Sequence, residues 1–218
     1  MIAALAALVL QAPVTWIEGE SAITSAAVNR TGATRANLLS EGRWLQIGVD
    51  PGEVEAKVPA DGIVLDFPLT VQGRQNVWAR IGYEFARSAF EWRVGDGTWK
   101  RVEPRELTWD LQELDTWTEV AWLPLGAADV PASARLQIRI PREKDEKGAW
   151  RRFLFALDAL VLTPGEFLPN SKHKPGEEYR TDRDRAAAAK TFEAPPASPR
   201  SEVLLTGDWE IAREDEQE

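Results

Sequence analysis

The sequence predicts an all-β fold, an antiparallel β-sandwich of the jelly-roll kind, and three observations predict it. Wherever a period is visible between Val14 and Leu162 it is 2 rather than 3.6 residues. Val77, Ala79, Ile81, Tyr83 and Phe85 share one face, and Trp78, Arg80, Gly82 and Glu84 the other, as in a sheet buried on one side. Turn signals separate the apolar segments at Asp50-Pro51-Gly52, Asp61-Gly62 and Gly95-Asp96-Gly97, the last placed to close a hairpin onto Trp99. Finally, 14 prolines and 15 glycines in 218 residues interrupt regular elements too often for long helices.

In chain order the strands are expected over 15–20, 44–48, 62–71, 77–85, 89–94, 117–123, 135–140 and 153–162. In 135–140, Leu136, Ile138 and Ile140 alternate with Arg135, Gln137 and Arg139, which repeats the one-sided pattern. The last strand is different. Phe153-Leu-Phe-Ala-Leu157 and Ala159-Leu-Val-Leu162 are apolar at odd and even positions alike, so this strand is expected to be buried on both faces. Sandwich packing accounts for Trp78, Trp92, Trp117 and Trp122, which fall within expected strands.

The ends of the chain read differently. Residues 1–12, MIAALAALVLQA, form an apolar run too short to span a bilayer and are expected to be a signal peptide or its remnant, or else an apolar helix packed on the domain. The sandwich occupies 13–163. Residues 164–200 are charged and rich in proline and alanine, the composition of a linker. Residues 201–218 open with the apolar SEVLLTGDW, either the start of a following, truncated domain or a terminal strand of the main sheet.

Composition narrows the chemistry. Twenty-six basic against 35 acidic residues give a net charge of −9, which opposes binding to a phosphate backbone, so nucleic acid is not an expected partner. Without cysteine and with a single histidine, His173, thiolate nucleophiles, disulfide frameworks and multi-histidine metal sites are ruled out. Catalysis would have to rest on two carboxylates, and no spacing singles out a pair.

One carboxylate stands apart, because Asp158 interrupts the doubly apolar strand and, ionised and buried, needs a counter-charge. Glu18 and Glu20 share a face of the first strand. If that strand neighbours the last, three acidic side chains converge, an all-oxygen set that suits calcium, Ca2+, in a structural role. The alternative is that Asp158 pairs with an arginine or caps a backbone turn while both glutamates face water.

The pieces Trp16-Ile-Glu-Gly-Glu20, Leu39-Ser-Glu-Gly-Arg-Trp-Leu45, Val77-Trp-Ala-Arg-Ile81, Trp117-Thr-Glu-Val120 before the Leu125-Gly126 turn, Ala134-Arg-Leu-Gln-Ile-Arg139 and Leu157-Asp-Ala-Leu-Val-Leu162 resemble the galactose-binding-like β-sandwich of carbohydrate-binding modules, families 6 and 35 in particular. The resemblance spans most of 14–162. It implies a structural calcium held by Glu18, Glu20 and Asp158. It also implies a non-catalytic module that tethers a secreted or periplasmic bacterial glycoside hydrolase to a polysaccharide. The asparagine that these modules often carry just before the final-strand aspartate is missing, the neighbourhood here being Phe155-Ala156-Leu157. Residues 184–188, Phe192 and 204–213 resemble the entrance to a glycoside hydrolase family 2 type domain, a partner in the same polypeptide.

Candidate sugar contacts are Glu84 and Arg87 in the turn after the 77–85 strand, Trp150 among the cations of Lys147-Gly-Ala-Trp-Arg-Arg152, and Trp44. A pyranose offers one apolar face and a rim of hydroxyls, which an aromatic ring beside charged groups can meet; the cations around Trp150 suit an acidic sugar such as a uronate. Two other functions compete with this one, a structural domain that only packs on the linked hydrolase and a small two-carboxylate glycosidase.

Overall fold

The alternating segments pair into two antiparallel sheets. The structure, a computed structural model, describes residues 14–30, 33–82, 88–104, 108–175 and 177. Among them are ten strands: β1 (Thr15–Glu18), β2 (Leu45–Val49), β3 (Ile63–Pro68), β4 (Gly73–Gly82), β5 (Phe90–Val94), β6 (Lys100–Val102), β7 (Trp109–Asp115), β8 (Thr118–Val130), β9 (Arg135–Ile140) and β10 (Phe153–Thr163). A single helical turn, α1 (Val54–Lys57), lies between β2 and β3. The larger sheet runs β1-β10-β4-β8-β7, with β2 also paired to β10; the smaller runs β3-β9-β5-β6. Every pairing is antiparallel, and the chain passes between sheets from β2 to β3, β3 to β4, β4 to β5, β6 to β7, β8 to β9 and β9 to β10, the jelly-roll connectivity. No helix among the described residues is long and apolar enough to cross a membrane.

Three details differ from the sequence reading. The Gly95-Asp96-Gly97 hairpin forms and joins β5 to β6, opposing Trp92 to Lys100, but β7 was not anticipated. Leu125-Gly126 is no turn: it lies inside β8, where Gly126 at φ +105° sits at a bulge opposite Val77. Trp117 is in the two-residue connection between Asp115 and Thr118 and is 81% exposed, so packing does not account for it.

Between the sheets, Val77, Ala79 and Ile81 of β4 meet the inner residues of β9 and β10 as their alternation requires, and Phe90 crosses to Phe155 edge-on at 5.2 Å. The opposite face of β4 is not open to water. Two stretches of irregular chain cover the outer face of the larger sheet and make a third layer. Leu39 and Trp44 lie over Ala156, Val120 and Leu114. Gly82 permits this close approach, since a Cβ there would stand 3.2 Å from the Trp44 ring. Further along the sheet, Phe167 packs on Trp122 and Trp78 at 5.0 and 5.6 Å, within a cluster that includes Ala159, Val161 and Trp16.

The stretch after Thr163, expected to begin a linker, is therefore bound to the sheet as far as the described residues go. Asn76 donates to the Gly165 carbonyl at 2.9 Å, Trp122 Nε1 to the Ser171 carbonyl at 2.8 Å, and Ser171 Oγ to Gln112 Oε1 at 3.0 Å. The chain divides into Met1–Glu178 and a second unit, Tyr179–Glu218, which lies outside the described residues together with the family 2 type resemblance. Truncating Phe167 to alanine removes the wedge between two tryptophans and is expected to cost about 3 kcal/mol, read as a lowered urea midpoint at unchanged m-value; an unchanged midpoint would mean that this layer is merely draped on the sheet.

Candidate functional site

Two groups of residues carry chemistry, one on the outer face of β10 and one in the loop before it. On β10, Asp158 is completely buried, as its doubly apolar strand requires, at a register shift between β10 and β4. Of the fates open to it, it meets two at once. Arg80 of β4, itself completely buried, places Nη1 2.5 Å from Asp158 Oδ2, and the Ser40 amide donates to Oδ1 at 2.9 Å. The same Nη1 donates to the Leu38 carbonyl at 2.9 Å, and Nη2 to Gln112 Oε1 at 2.7 Å. Burial pushes the Asp158 carboxyl up to about 7; the Arg80 guanidinium and the Ser40 amide pull it down, and the charge of Glu18 adds a further upward push.

Glu18 and Glu20 do not face water. Register places Glu18 beside Ala159, and its carboxylate lies 2.9 Å from Lys174 Nζ. The Glu20 side chain, 8% exposed, accepts from Arg43 Nε at 2.7 Å, while its Oε2 is buried without a hydrogen-bond partner among the described residues. Each of the three carboxylates meets a cation of the chain, and no group of three acidic or histidine side chains among the described residues is arranged to hold a metal ion. Arg80, Arg43 and Lys174 were not singled out from the sequence. The need for a charge against Asp158 could have pointed to Arg80 in neighbouring β4, whereas nothing local marks Lys174.

The loop joining β9 to β10 carries Trp150. Asp145 Oδ1 accepts from the amides of Lys147 and Ala149, both at 2.9 Å, and Gly148 takes φ +80°, so residues 144–150 form a tight tip closed by the Lys144–Trp150 bridge. The Trp150 ring rests partly on the core, with Arg142 Cζ 4.7 Å and Lys144 Nζ 4.5 Å from its centroid, and its Nε1 points to Glu55 Oε2 of α1 at 3.4 Å. Residues 141–152 hold five cations and three anions in a chain of net charge −9, a local positive patch. Arg152 lies 3.6 Å from Asp50 just after β2, and Ser88 exchanges bonds with the Leu154 backbone, which ties Ser88 to the start of β10. Glu84 and Arg87, in the β4–β5 connection, lie outside the described residues. Trp44 is corrected: at 1% exposure beneath Leu39 it is core, because its ring fills the space left by Gly82, and it has no face to offer a sugar.

No protein-family model matches the chain, and no curated protein matches it. Among solved structures it is similar to the GH26-CBM35 beta-(1,4)-mannanase of Podospora anserina, with TM-score 0.45 and 11% identity over 72% of this chain and 28% of that one. It is also similar to a xanthan lyase of Paenibacillus (TM-score 0.44, 16% identity, 72% of this chain and 14% of that one). A thermostable GH87 alpha-1,3-glucanase of Streptomyces thermodiastaticus gives TM-score 0.41 and 16% identity over 72% and 28%. The chain thus spans under a third of the length of each of these proteins, and the likeness is a distant one of fold.

Because the folded-state value of Asp158 lies above its ordinary 3.8, the stability this carboxyl contributes is full below about pH 4 and gone by about pH 7. Arg80→Met removes the group that holds the value down and carries the loss on to higher pH. Urea unfolding is expected to show the variant falling further behind the native chain between about pH 7 and pH 9, by up to ~1.4 kcal/mol per pH unit; a difference that stays constant with pH would contradict this.

Proposed function

We propose that the described domain is a non-catalytic carbohydrate-binding module of an exported protein, which holds a linked glycoside hydrolase against an acidic polysaccharide. The observation that carries this reading is the Trp150 ring with Arg142 and Lys144 set over it at the loop end of the sandwich. A uronate presents a carboxylate, which the two cations held at the half-buried indole are placed to take. The order of sequence motifs along 14–162 supports the same reading. The module's work would be tethering, which raises the effective concentration of an attached enzyme without breaking a bond. The second reading, a structural domain that packs on the hydrolase, has in its favour that Trp44, Trp92 and Trp122 all lie in the interior.

Calorimetric titration with polygalacturonate, alginate and a neutral glucan tests the proposal. The acidic polymers are expected to bind, with affinity falling as salt is added, and Trp150→Ala or the Arg142→Ala/Lys144→Ala pair is expected to weaken binding by about tenfold or more, roughly 1.4 kcal/mol. Silence with all three polymers, or equal affinity in the variants, would leave the structural reading standing.

A further inference from the structure

We infer that Lys174 is a built-in counter-ion for the acidic group around β1, taking the place that a divalent cation would otherwise fill, so that the fold does not depend on metal. This does not rest on the sugar-binding reading. The acidic group comes from three parts of the chain: Glu18 at the end of β1, Glu20 just beyond it, and Glu41 in the loop covering the outer sheet face. Lys174 Nζ lies 2.9 Å from Glu18 Oε1 and 3.2 Å from Glu41 Oε1, and 6.0 Å from the centroid of the Trp16 ring. The Glu18 carboxylate, with Glu41 behind it, raises the ammonium above the ordinary lysine range, so it stays charged wherever the carboxylates are.

The donor set does not fit calcium, which takes six to eight oxygens. Both Asp158 oxygens are engaged, one by Arg80 and one by the Ser40 amide, Glu20 Oε1 is engaged by Arg43 and Glu18 Oε1 lies against Lys174. Among the described residues this leaves Glu18 Oε2 and Glu20 Oε2 as the unpartnered buried oxygens of these three carboxylates, too few for that set. A lysine ammonium, a compact charge with three donors, needs fewer partners and has two carboxylates in reach. Four carboxylates here meet Lys174, Arg43 and Arg80, so a divalent ion added to them would leave the group positive.

Lys174 is also delivered rather than free to wander. Phe167 is wedged among Trp78 and Trp122, and Ser171 is bonded through its carbonyl to Trp122, through its hydroxyl to Gln112 and through its amide to Asp110. Three residues later the chain reaches Glu18 and Glu41. The ammonium thereby ties the covering segment to the first strand and to the 39–43 loop, three pieces that share no strand pairing with one another.

Thermal melting of the full chain, in excess calcium and in excess chelator, tests this. The native chain is expected to melt within about 1 °C in the two buffers, Lys174→Met to melt about 3 °C or more lower in chelator, and Lys174→Arg to recover most of the difference. A native chain that melts several degrees lower in chelator than in calcium overturns the inference whether or not the variants fold, and so does a Lys174→Met chain that melts like the native one.

Discussion

Strand β10 is apolar on both faces and lies inside a sheet, and that constraint shapes the rest of the domain. A sandwich hides only one face of each sheet, so the second face of β10 needs a cover of its own. The cover comes from irregular chain on either side of the strand in sequence, with Leu39 and Trp44 before it and Phe167 after it. Burying side chains of this size is worth about 1.5–3 kcal/mol each, enough to hold loops that have no ladder of their own. The third layer is therefore a consequence of the strand's composition, and it converts what reads as a linker into part of the fold.

Within that layer Asp158 sets the positions. A buried ion pair adds little over apolar residues of the same shape, but either member left alone is expensive. Arg80 satisfies Asp158 and the Leu38 carbonyl with the same nitrogen, and Ser40 donates to the other carboxylate oxygen, so the 38–40 loop cannot slide without leaving a buried charged atom unpaired. Glu18 at the end of β1 and Glu20 just beyond it follow the same logic nearer the surface, each answered by a cation from a different part of the chain. At the far loop end the roles are reversed, and a partly buried tryptophan gathers two cations, Arg142 and Lys144, over its ring.

Much of the sheet was legible because its signal is local. Val77, Ala79 and Ile81 face inward as their alternation says, and the Gly95-Asp96-Gly97 hairpin closes where its glycines place it. Trp117 and Gly126 were not legible, since an aromatic at a turn and a glycine at a bulge carry the same letters as an aromatic in a strand and a glycine in a turn. Of the candidate site residues, Trp150 has over its ring Arg142 and Lys144, cations outside the 147–152 segment that suggested it, Trp44 proved to be core because a glycine from β4 made room for its ring, and Glu18, Glu20 and Asp158 each meet a cation of the chain.

By itself the sequence determined the sandwich, the double burial of its last strand, and the demand for positive charge beside Asp158, because period, apolarity and a lone carboxylate are written within a few adjacent residues. Only the tertiary structure decided which charges answer that demand. Arg80 and Lys174 lie 78 residues before Asp158 and 156 residues after Glu18, respectively. No local pattern encodes a pairing made across strands and through a covering segment; it follows from where packing brings the chain.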